Sequence, residues 1–337
     1  MSDSPTAFGR RPYAASLAAG LASSLLYTSI FLSFAFLIPV QLLYGRYGRK
    51  PGLAAAGIAC LGIFSAQGGR LIASAIGNAG VASLSAIEIA ATFLPSLVLL
   101  GALAFINAPL GRDWKPVYKA LAASALCALA ALPIIIALEN DASIATYLEG
   151  RFASFLAPLK SAAGEGYDAS ALMATLDPKE LVSTSITTLH SIYVALLFLL
   201  IGGSWRIGNR LSGIDSRGRE ETVAIEELRM PYALIWAFLA SWALVLVTLA
   251  LNAPAAISAV AWNCALTLSL AYAAQGLGII VHLFKSWNMP KSMRVLIAVV
   301  AALSLVTPLG LGLAASLPLF GVTEIWIPYR KPKGVGA

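Results

Sequence analysis

Long uninterrupted apolar runs constrain this sequence more than any other feature. Residues 231–251 and 255–284 each reach the ~20 residues with which a helix crosses the hydrocarbon of a bilayer. Only helices and closed barrels satisfy every backbone hydrogen bond inside lipid, and the strands of a barrel alternate polar and apolar residues. These runs do not alternate. The sequence therefore predicts an all-α, polytopic transmembrane helical bundle.

The composition agrees with a protein that lies in the lipid bilayer. Of the 337 residues, 59% are hydrophobic and only 12% are charged, whereas a soluble domain carries roughly one quarter charged residues. The formal net charge is +7, and the cations cluster in short segments beside the apolar runs. The excess of basic residues in cytoplasmic loops explains this charge, so we expect no nucleic-acid partner.

The basic clusters divide the chain into membrane crossings, and we assign them to the cytoplasmic face. They are Arg10/Arg11, Arg46/Arg49/Lys50, Arg112/Lys115/Lys119, Arg206/Arg210 through Arg229, Lys285/Lys291/Arg294 and Arg330/Lys331/Lys333. The intervening lengths predict about nine spans, within a range of roughly eight to ten. We expect a single integral-membrane domain over residues 1–337, in a bacterial cytoplasmic (inner) membrane, with the N-terminus in the cytoplasm.

The N-terminal half is predicted to start with a thin hairpin. Residues 13–44 must cross twice, which allows only about 16 residues, or ~24 Å, for each helix. Thr28 and Ser29 mark its outer turn. The later crossings are predicted at 51–66, 84–106 and 119–138, with the Gly-rich stretch 67–83 near the outer face.

Two sizeable segments are predicted outside the hydrocarbon. Residues 139–176 carry apolar side chains at i, i+3, i+4 and i+7 spacing, which predicts an extracytoplasmic amphipathic helix on the interface. Asp177, Pro178 and Glu180 then supply an N-cap, a first-turn proline and a third-position acid for the next helix. Residues 205–230 form a mixed-charge cytoplasmic loop, the longest surface for a soluble partner.

The C-terminal part contains one clear hairpin and one ambiguous run. Residues 231–251 and 255–284 form the hairpin, with Asn252 and Pro254 at its outer turn. Residues 295–326 leave two alternatives open. They make either one crossing or two very short crossings that are broken at 308–312.

Four polar residues inside apolar runs are the candidate substrate-binding residues, namely Glu88, His190, Asn263 and Gln275. Polar and ionisable groups at membrane depth are costly, so each is a functional candidate. Each of the four residues also has a simpler interpretation that involves no substrate. Glu88 fits the headgroup level, His190 can bond to a carbonyl within the bundle, and Asn263 and Gln275 can form interhelical hydrogen bonds.

The first helix carries a candidate docking face. Ala14, Ala18 and Ala22 recur at every fourth position, and such small side chains admit another helix closely. The sequence contains no phosphate-binding G-x-x-x-x-G-K-[ST], no H-E-x-x-H, no G-x-S-x-G and no paired cysteines. We therefore expect no catalytic residues, no metal ion and no cofactor, and we do not expect an enzyme.

The C-terminal part of the chain contains three short motifs. They are Arg229-Met230-Pro231 leading to Trp236; Gln275-Gly276-Leu277 leading to His282; and Phe320-Gly321-Val322-Thr323-Glu324-Ile325-Trp326 ending in Tyr329-Arg330-Lys331. Together these motifs resemble the YybS-like family of multi-pass bacterial membrane proteins. Glu324 stands where that family is expected to have an aspartate, which keeps the charge. The family's N-terminal half is distantly similar to the substrate-binding (S) subunits of energy-coupling-factor transporters.

The resemblance implies a transport-related subunit that binds a small molecule and relies on a membrane coupling protein and an ATPase for energy. By fold analogy, Ala14, Ala18 and Ala22 would be the docking face for the coupling protein. The alternative is a non-transporting scaffold that recruits envelope or cell-division proteins through its cytoplasmic loops. The identity of the small-molecule ligand does not follow from these residues.

Overall fold

The computed structural model describes residues 11–29, 31–78, 86–109, 114–139, 142–162, 177–213, 225–304 and 307–330. These residues form helices and no strand, as the apolar runs predict. The helices are α1 (Arg11–Thr28), α2 (Leu37–Tyr47), α3 (Arg49–Asn78), α4 (Ala86–Ile106), α5 (Pro116–Glu139), α6 (Ala142–Ala162), α7 (Pro178–Ser212), α8 (Leu234–Ala250), α9 (Ala255–Ser286), α10 (Lys291–Ser304) and α11 (Pro308–Thr323). Two short 3-10 turns lie at Ser33–Ala35 and Ile225–Glu227.

Contacts between residues divide the chain into two compact units. Unit 1 is Met1–Ser212 and unit 2 is Gly213–Ala337. The boundary falls inside the predicted loop 205–230. The assignment of residues 1–337 to one integral-membrane domain stays a prediction.

Unit 1 is held together by the packing of α1 on α3, α2 on α7, and α4 and α5 on each other. Small residues bring α1 and α3 close, since a Cβ atom at Gly20 would lie 2.6 Å from Ile58, and one at Gly62 would lie 2.7 Å from Ser24. Ser16 and Ser23 on the same side of α1 are buried. The core is formed by apolar side chains of α1 to α5 and α7, among them Leu37, Val40, Ala59, Ile63, Leu103 and Ile201.

The N-terminal hairpin differs from the prediction. Its turn lies where expected, because α1 ends at Thr28, but the second arm, α2, has only 11 residues. At ~1.5 Å per residue α2 is about 16 Å long, which is short of a bilayer core. The helix predicted over 51–66 also differs, because it continues through residues 67–78, whereas 79–83 lie outside the described residues. The position of the Gly-rich stretch near the outer face stays a prediction. Two glycines of this stretch are not in tight contacts: a Cβ atom added at Gly68 would lie 3.7 Å from Phe93, and one added at Gly69 would meet nothing within 4 Å.

The predicted start of α7 is confirmed. The Asp177 carboxylate accepts a hydrogen bond from the Lys179 amide at 3.0 Å, and Pro178 is the first helical residue. The end of α7 was placed too early, since residues 205–212 are helical rather than loop. They stay helical because Gly208 and Ser212 pack against α2. The amphipathic segment contains α6, which packs on α7, while 163–176 lie outside the described residues.

Unit 2 is organised around α9, which packs against both α8 and α11. The hairpin of α8 and α9 has its turn where the sequence predicts it, with Asn252 at a positive φ of 47° and Pro254 as the N-cap of α9. The ambiguous run 295–326 forms two helices, α10 and α11, which pack on each other. The break precedes Pro308, whose missing N–H suits the first turn of a helix, and Thr307 caps it.

Five of the described helices are long and apolar enough to cross a membrane: Arg49–Ala73, Ala86–Ile106, Pro116–Ala137, Pro178–Ser212 and Ala255–Ser286. Two shorter apolar helices are Leu234–Ala250 and Gly310–Thr323. The prediction of about nine spans is not confirmed by these lengths.

Candidate functional site

A cavity of about 210 Å³ lies between α4, α5 and α7 in unit 1. Ten residues line it, and none of them carries a charged side chain. Leu94, Val98 and Leu99 come from α4, and Ile134 and Ile135 come from α5. The cavity can therefore hold an apolar molecule but offers no ion pair to a charged one.

Pro95 shapes the α4 wall of this cavity. It lies inside the helix and lines the cavity together with Ala91, four residues earlier. Proline has no backbone N–H, so the carbonyl oxygen of Ala91 lacks its helical donor. One residue that lines the cavity on the α4 side thus has a backbone carbonyl without its helical donor.

A second feature of unit 1 is a cluster of three amide side chains, which we call the amide cluster: Gln41, Asn107 and Asn209. Gln41 is fully buried, and its Nε2 donates to Asn209 Oδ1 at 2.7 Å and to Asn107 Oδ1 at 3.2 Å. Asn107 Nδ2 donates back to Gln41 Oε1 at 2.7 Å. The cluster joins α2, the end of α4 and the end of α7 through neutral groups.

Glycines allow α2 and α7 to approach at the amide cluster. A Cβ atom at Gly208 would lie 2.6 Å from the Gln41 side chain, and one at Gly45 would lie 2.1 Å from the Ser212 hydroxyl. Larger residues at either position would push the two helices apart. The geometry of this cluster is therefore set by close helix packing.

Unit 2 contains a buried ion pair, which we call the ion-pair cluster: Gln275, Glu324 and Arg330. The side chains of Arg330 and Glu324 are only 4% and 7% exposed. Arg330 Nε donates to Glu324 Oε1 at 2.5 Å, and its Nη2 donates to Glu324 Oε2. Gln275 Nε2 donates to Glu324 Oε2 at 2.9 Å. The charges are therefore paired and hydrogen-bonded, which burial of ions requires.

Backbone groups complete the ion-pair cluster. Arg330 donates to the carbonyls of Glu226 at 2.6 Å and Leu228 at 3.1 Å. Gln275 Oε1 accepts from the amide of Met230 at 2.6 Å. Arg229 in turn donates to the Arg330 carbonyl at 3.2 Å. These bonds hold the segment 226–230 against the C-terminal segment.

The three C-terminal motifs thus meet at one point in the fold. The contact depends on bare glycines, because a Cβ atom at Gly321 would lie 2.0 Å from the Tyr272 carbonyl oxygen, and one at Gly276 would lie 2.1 Å from the Leu317 carbonyl oxygen. Pro231, which directly follows the segment 226–230, is buried. Two further motif residues, Trp236 and Trp326, are 65% and 64% exposed and take no part in the cluster.

The four candidate substrate-binding residues do not form one site. Glu88 is exposed in the first turn of α4, and His190 is half-buried on α7, so both belong to unit 1. Neither of them lines the cavity. Asn263 and Gln275 are buried on α9 of unit 2, where Asn263 Nδ2 donates to the Ala259 carbonyl at 2.8 Å. Gln275 makes interhelical bonds, and a substrate role for any of the four stays a prediction.

The alanine face of α1 does not take part in the packing of unit 1. Ala14 and Ala18 are exposed and Ala22 is half-buried, whereas Ser16, Gly20 and Ser23 lie on the packed side. The face is therefore accessible to another helix, and its docking role stays a prediction.

Sequence patterns did not single out the amide cluster. The sequence feature that could have indicated this cluster is Gln41, because an amide side chain within an apolar run needs a hydrogen-bond partner. Its partners Asn107 and Asn209 stand at the ends of helices, where asparagine is common, and they lie 66 and 168 positions away. Pro95 could have been recognised from the sequence, because a proline inside a membrane helix leaves the carbonyl four residues earlier, here that of Ala91, without its donor.

Comparison with known proteins gives one match. No curated protein and no solved structure matches the chain. A family model does match residues 15–314, which include the cavity, the amide cluster and Gln275, whereas Gly321, Glu324 and Arg330 follow the matched region. The narrower resemblance to YybS-like proteins and to energy-coupling-factor subunits stays a prediction. The chain belongs to the family described as "Predicted membrane protein (DUF2232)".

Proposed function

We propose that this membrane protein is a transport-related subunit that binds a small molecule in the cavity between α4, α5 and α7. The cavity is the observation that carries the proposal. Its volume of about 210 Å³ exceeds the ~150 Å³ of an engineered apolar cavity that holds benzene. Membrane transporters commonly bind their substrates where a transmembrane helix lacks some of its backbone hydrogen bonds, and Pro95 removes one such bond from α4 beside this cavity.

A separate protein supplies the energy in this proposal. The sequence contains no nucleotide-binding motif, so ATP hydrolysis requires a second polypeptide. The exposed face at Ala14 and Ala18 offers a smooth surface for a membrane coupling protein. In this arrangement the protein lies in the bacterial inner membrane with its N-terminus in the cytoplasm, and it performs no catalysis itself.

Ligand-induced stabilisation tests the cavity. A ligand that binds only the folded protein adds RT ln(1 + [L]/Kd) to the free energy of unfolding. We expect members of a metabolite panel to raise the unfolding temperature of the wild type. Ala131 lines the cavity and Ala130 is exposed beside it on α5. Ala131→Phe should therefore abolish the shift, and Ala130→Phe should retain it.

Two results would contradict the cavity as the binding site. One is a panel in which no compound shifts the unfolding temperature of the wild type. The other is a shift of equal size in Ala131→Phe, because a phenyl ring in the cavity leaves no room for the ligand.

The alternative function is a scaffold that recruits envelope or cell-division proteins. The observation that favours it is the fixed position of residues 226–230, which Arg330 and Gln275 hold through backbone hydrogen bonds. These residues end the charged segment that follows α7, so the fold presents that end in one conformation. Glu227 is exposed there.

Co-purification from the native membrane separates the two functions. Recovery of an ATPase and a coupling protein supports transport, and their loss in Ala18→Leu, with retention in the volume-conserving control Leu21→Ile, locates the docking face. Recovery of envelope-assembly proteins, lost in Glu227→Lys, supports the scaffold instead.

A further inference from the structure

We propose that the ligand of the cavity is an uncharged, largely apolar molecule with one hydrogen-bond donor, and that this donor pairs with the backbone carbonyl of Ala91. The inference rests on the proposed function, because it specifies what the same cavity binds. It follows from three properties of the cavity wall: its apolar side chains, its single freed acceptor and its size.

The side chains of the wall exclude a charged ligand. Of the ten lining residues, Cys127 alone has a polar hydrogen, and its thiol donates to the Val98 carbonyl at 3.5 Å. An ion in such a site would lose its hydration without gaining a partner, at a cost of many kcal/mol. Leu94, Leu99 and Ile135 instead offer dispersion contacts to carbon.

The Ala91 carbonyl supplies the polar contact. Its helical donor would be the amide of residue 95, and Pro95 has none. The two hydroxyl groups nearby on α4 serve other carbonyls: Thr92 Oγ1 donates to Glu88 O at 2.7 Å, and Ser96 Oγ donates to Phe93 O at 2.9 Å. An unpaired carbonyl within lipid is costly. A ligand that brings a hydroxyl or an N–H removes this cost.

The size of the cavity limits the ligand. Benzene, with six carbon atoms, occupies an apolar cavity of ~150 Å³, so about 210 Å³ corresponds to roughly eight non-hydrogen atoms by the same packing. Monocyclic aromatic alcohols such as the methylphenols are in this range. 4-Methylphenol and 4-methoxytoluene form a suitable probe pair, because they share the ring and only the first can donate a hydrogen bond.

The experiment measures the affinity of both probes for the full-length protein in lipid nanodiscs, with partitioning into empty nanodiscs subtracted. The wild type should bind 4-methylphenol about tenfold more tightly than 4-methoxytoluene, since one hydrogen bond contributes about this factor. Pro95→Ala returns an N–H to the Ala91 carbonyl, so the ratio of the two affinities should fall to about one. Pro133→Ala makes the same change in α5 outside the lining residues, and it should keep the tenfold ratio.

The possible failures are distinguishable. Equal binding of both probes by the wild type, abolished by Ala131→Phe, overturns the donor inference and leaves the cavity as the binding site. A tenfold ratio that persists in Pro95→Ala also overturns it, because the donor then pairs elsewhere. Absence of specific binding by either probe overturns the inference, and absence of any stabilising ligand in the metabolite panel overturns the proposed function itself.

Discussion

The two units of this protein both bury a polar cluster, but the clusters differ in charge. The amide cluster of unit 1 joins α2, α4 and α7 through Gln41 and two asparagines, all of them neutral. The ion-pair cluster of unit 2 buries Arg330 against Glu324 and adds Gln275 and backbone carbonyls. Neutral amides lose little when a partner is lost, whereas a buried ion without its counter-ion costs several kcal/mol. We therefore expect unit 2 to be the more sensitive to single substitutions.

Removal of one ion tests this comparison most strongly. Arg330→Met should lower the free energy of unfolding by about 3–5 kcal/mol, because Glu324 then remains buried without its counter-ion. Equilibrium unfolding in mixed micelles gives the value. The double variant Arg330→Met/Glu324→Leu is the control, and it should recover at least half of the loss since no buried charge remains. A double variant as unstable as the single one would show that packing, not charge, determines the cost.

The glycine contact behind the ion-pair cluster should give the next largest effect. A Cβ atom at Gly321 would lie 2.0 Å from the Tyr272 carbonyl oxygen. This oxygen belongs to the backbone of α9, which cannot shift as easily as a flexible side chain. Gly321→Ala should cost about 1–3 kcal/mol by forcing α9 and α11 apart. Gly312 lies in the same helix with nothing within 4 Å of its added Cβ, so Gly312→Ala should be neutral or slightly stabilising. Equal losses in the two variants would refute a specific contact at Gly321.

Disruption of the amide cluster should have the smallest effect of the three. Gln41→Leu removes the partner of Asn107 and Asn209, but both asparagines are half-buried and can bond to water or headgroups. We expect a loss of about 1 kcal/mol in the free energy of unfolding. Gln67→Leu on α3 makes the same side-chain change at a half-buried position outside the amide cluster, so it is the control and should change the free energy of unfolding little. A loss for Gln41→Leu as large as that for Arg330→Met would remove the distinction between the two units.

Local features of the structure followed well from sequence patterns. The start of α7 at Pro178 and the turn at Asn252 and Pro254 depend on residues within a few positions, and the structure has both. The end of α7 was misplaced because Trp205 and the following arginines resemble a membrane boundary, whereas the packing of Gly208 on α2 keeps the helix intact. The predicted double crossing of residues 13–44 is not confirmed, because α2 has only 11 residues and ends before Gly48, which has a positive φ of 88°.

For the candidate sites too, the sequence identified individual residues but not the contacts between them. The C-terminal motif residues Gln275, Glu324 and Arg330 were named from short sequence patterns, but their hydrogen bonds to one another appeared only in the fold. Glu88 and His190 were named for their chemistry, and neither lines the cavity. A cavity is the space that three separate helices leave between them, so no single segment of sequence specifies it.

The sequence by itself determined that this chain forms apolar helices, because a backbone in lipid must satisfy its hydrogen bonds within each segment and because the apolar runs do not alternate. It also determined which carbonyl of α4 loses its donor, since proline has no N–H. Only the tertiary structure decided that the residue with this carbonyl lines a cavity and that Arg330 bonds to residues 102 and 104 positions away. The reason is physical: helix periodicity governs neighbours within one or two turns, whereas contacts between helices depend on which small residues let their backbones approach.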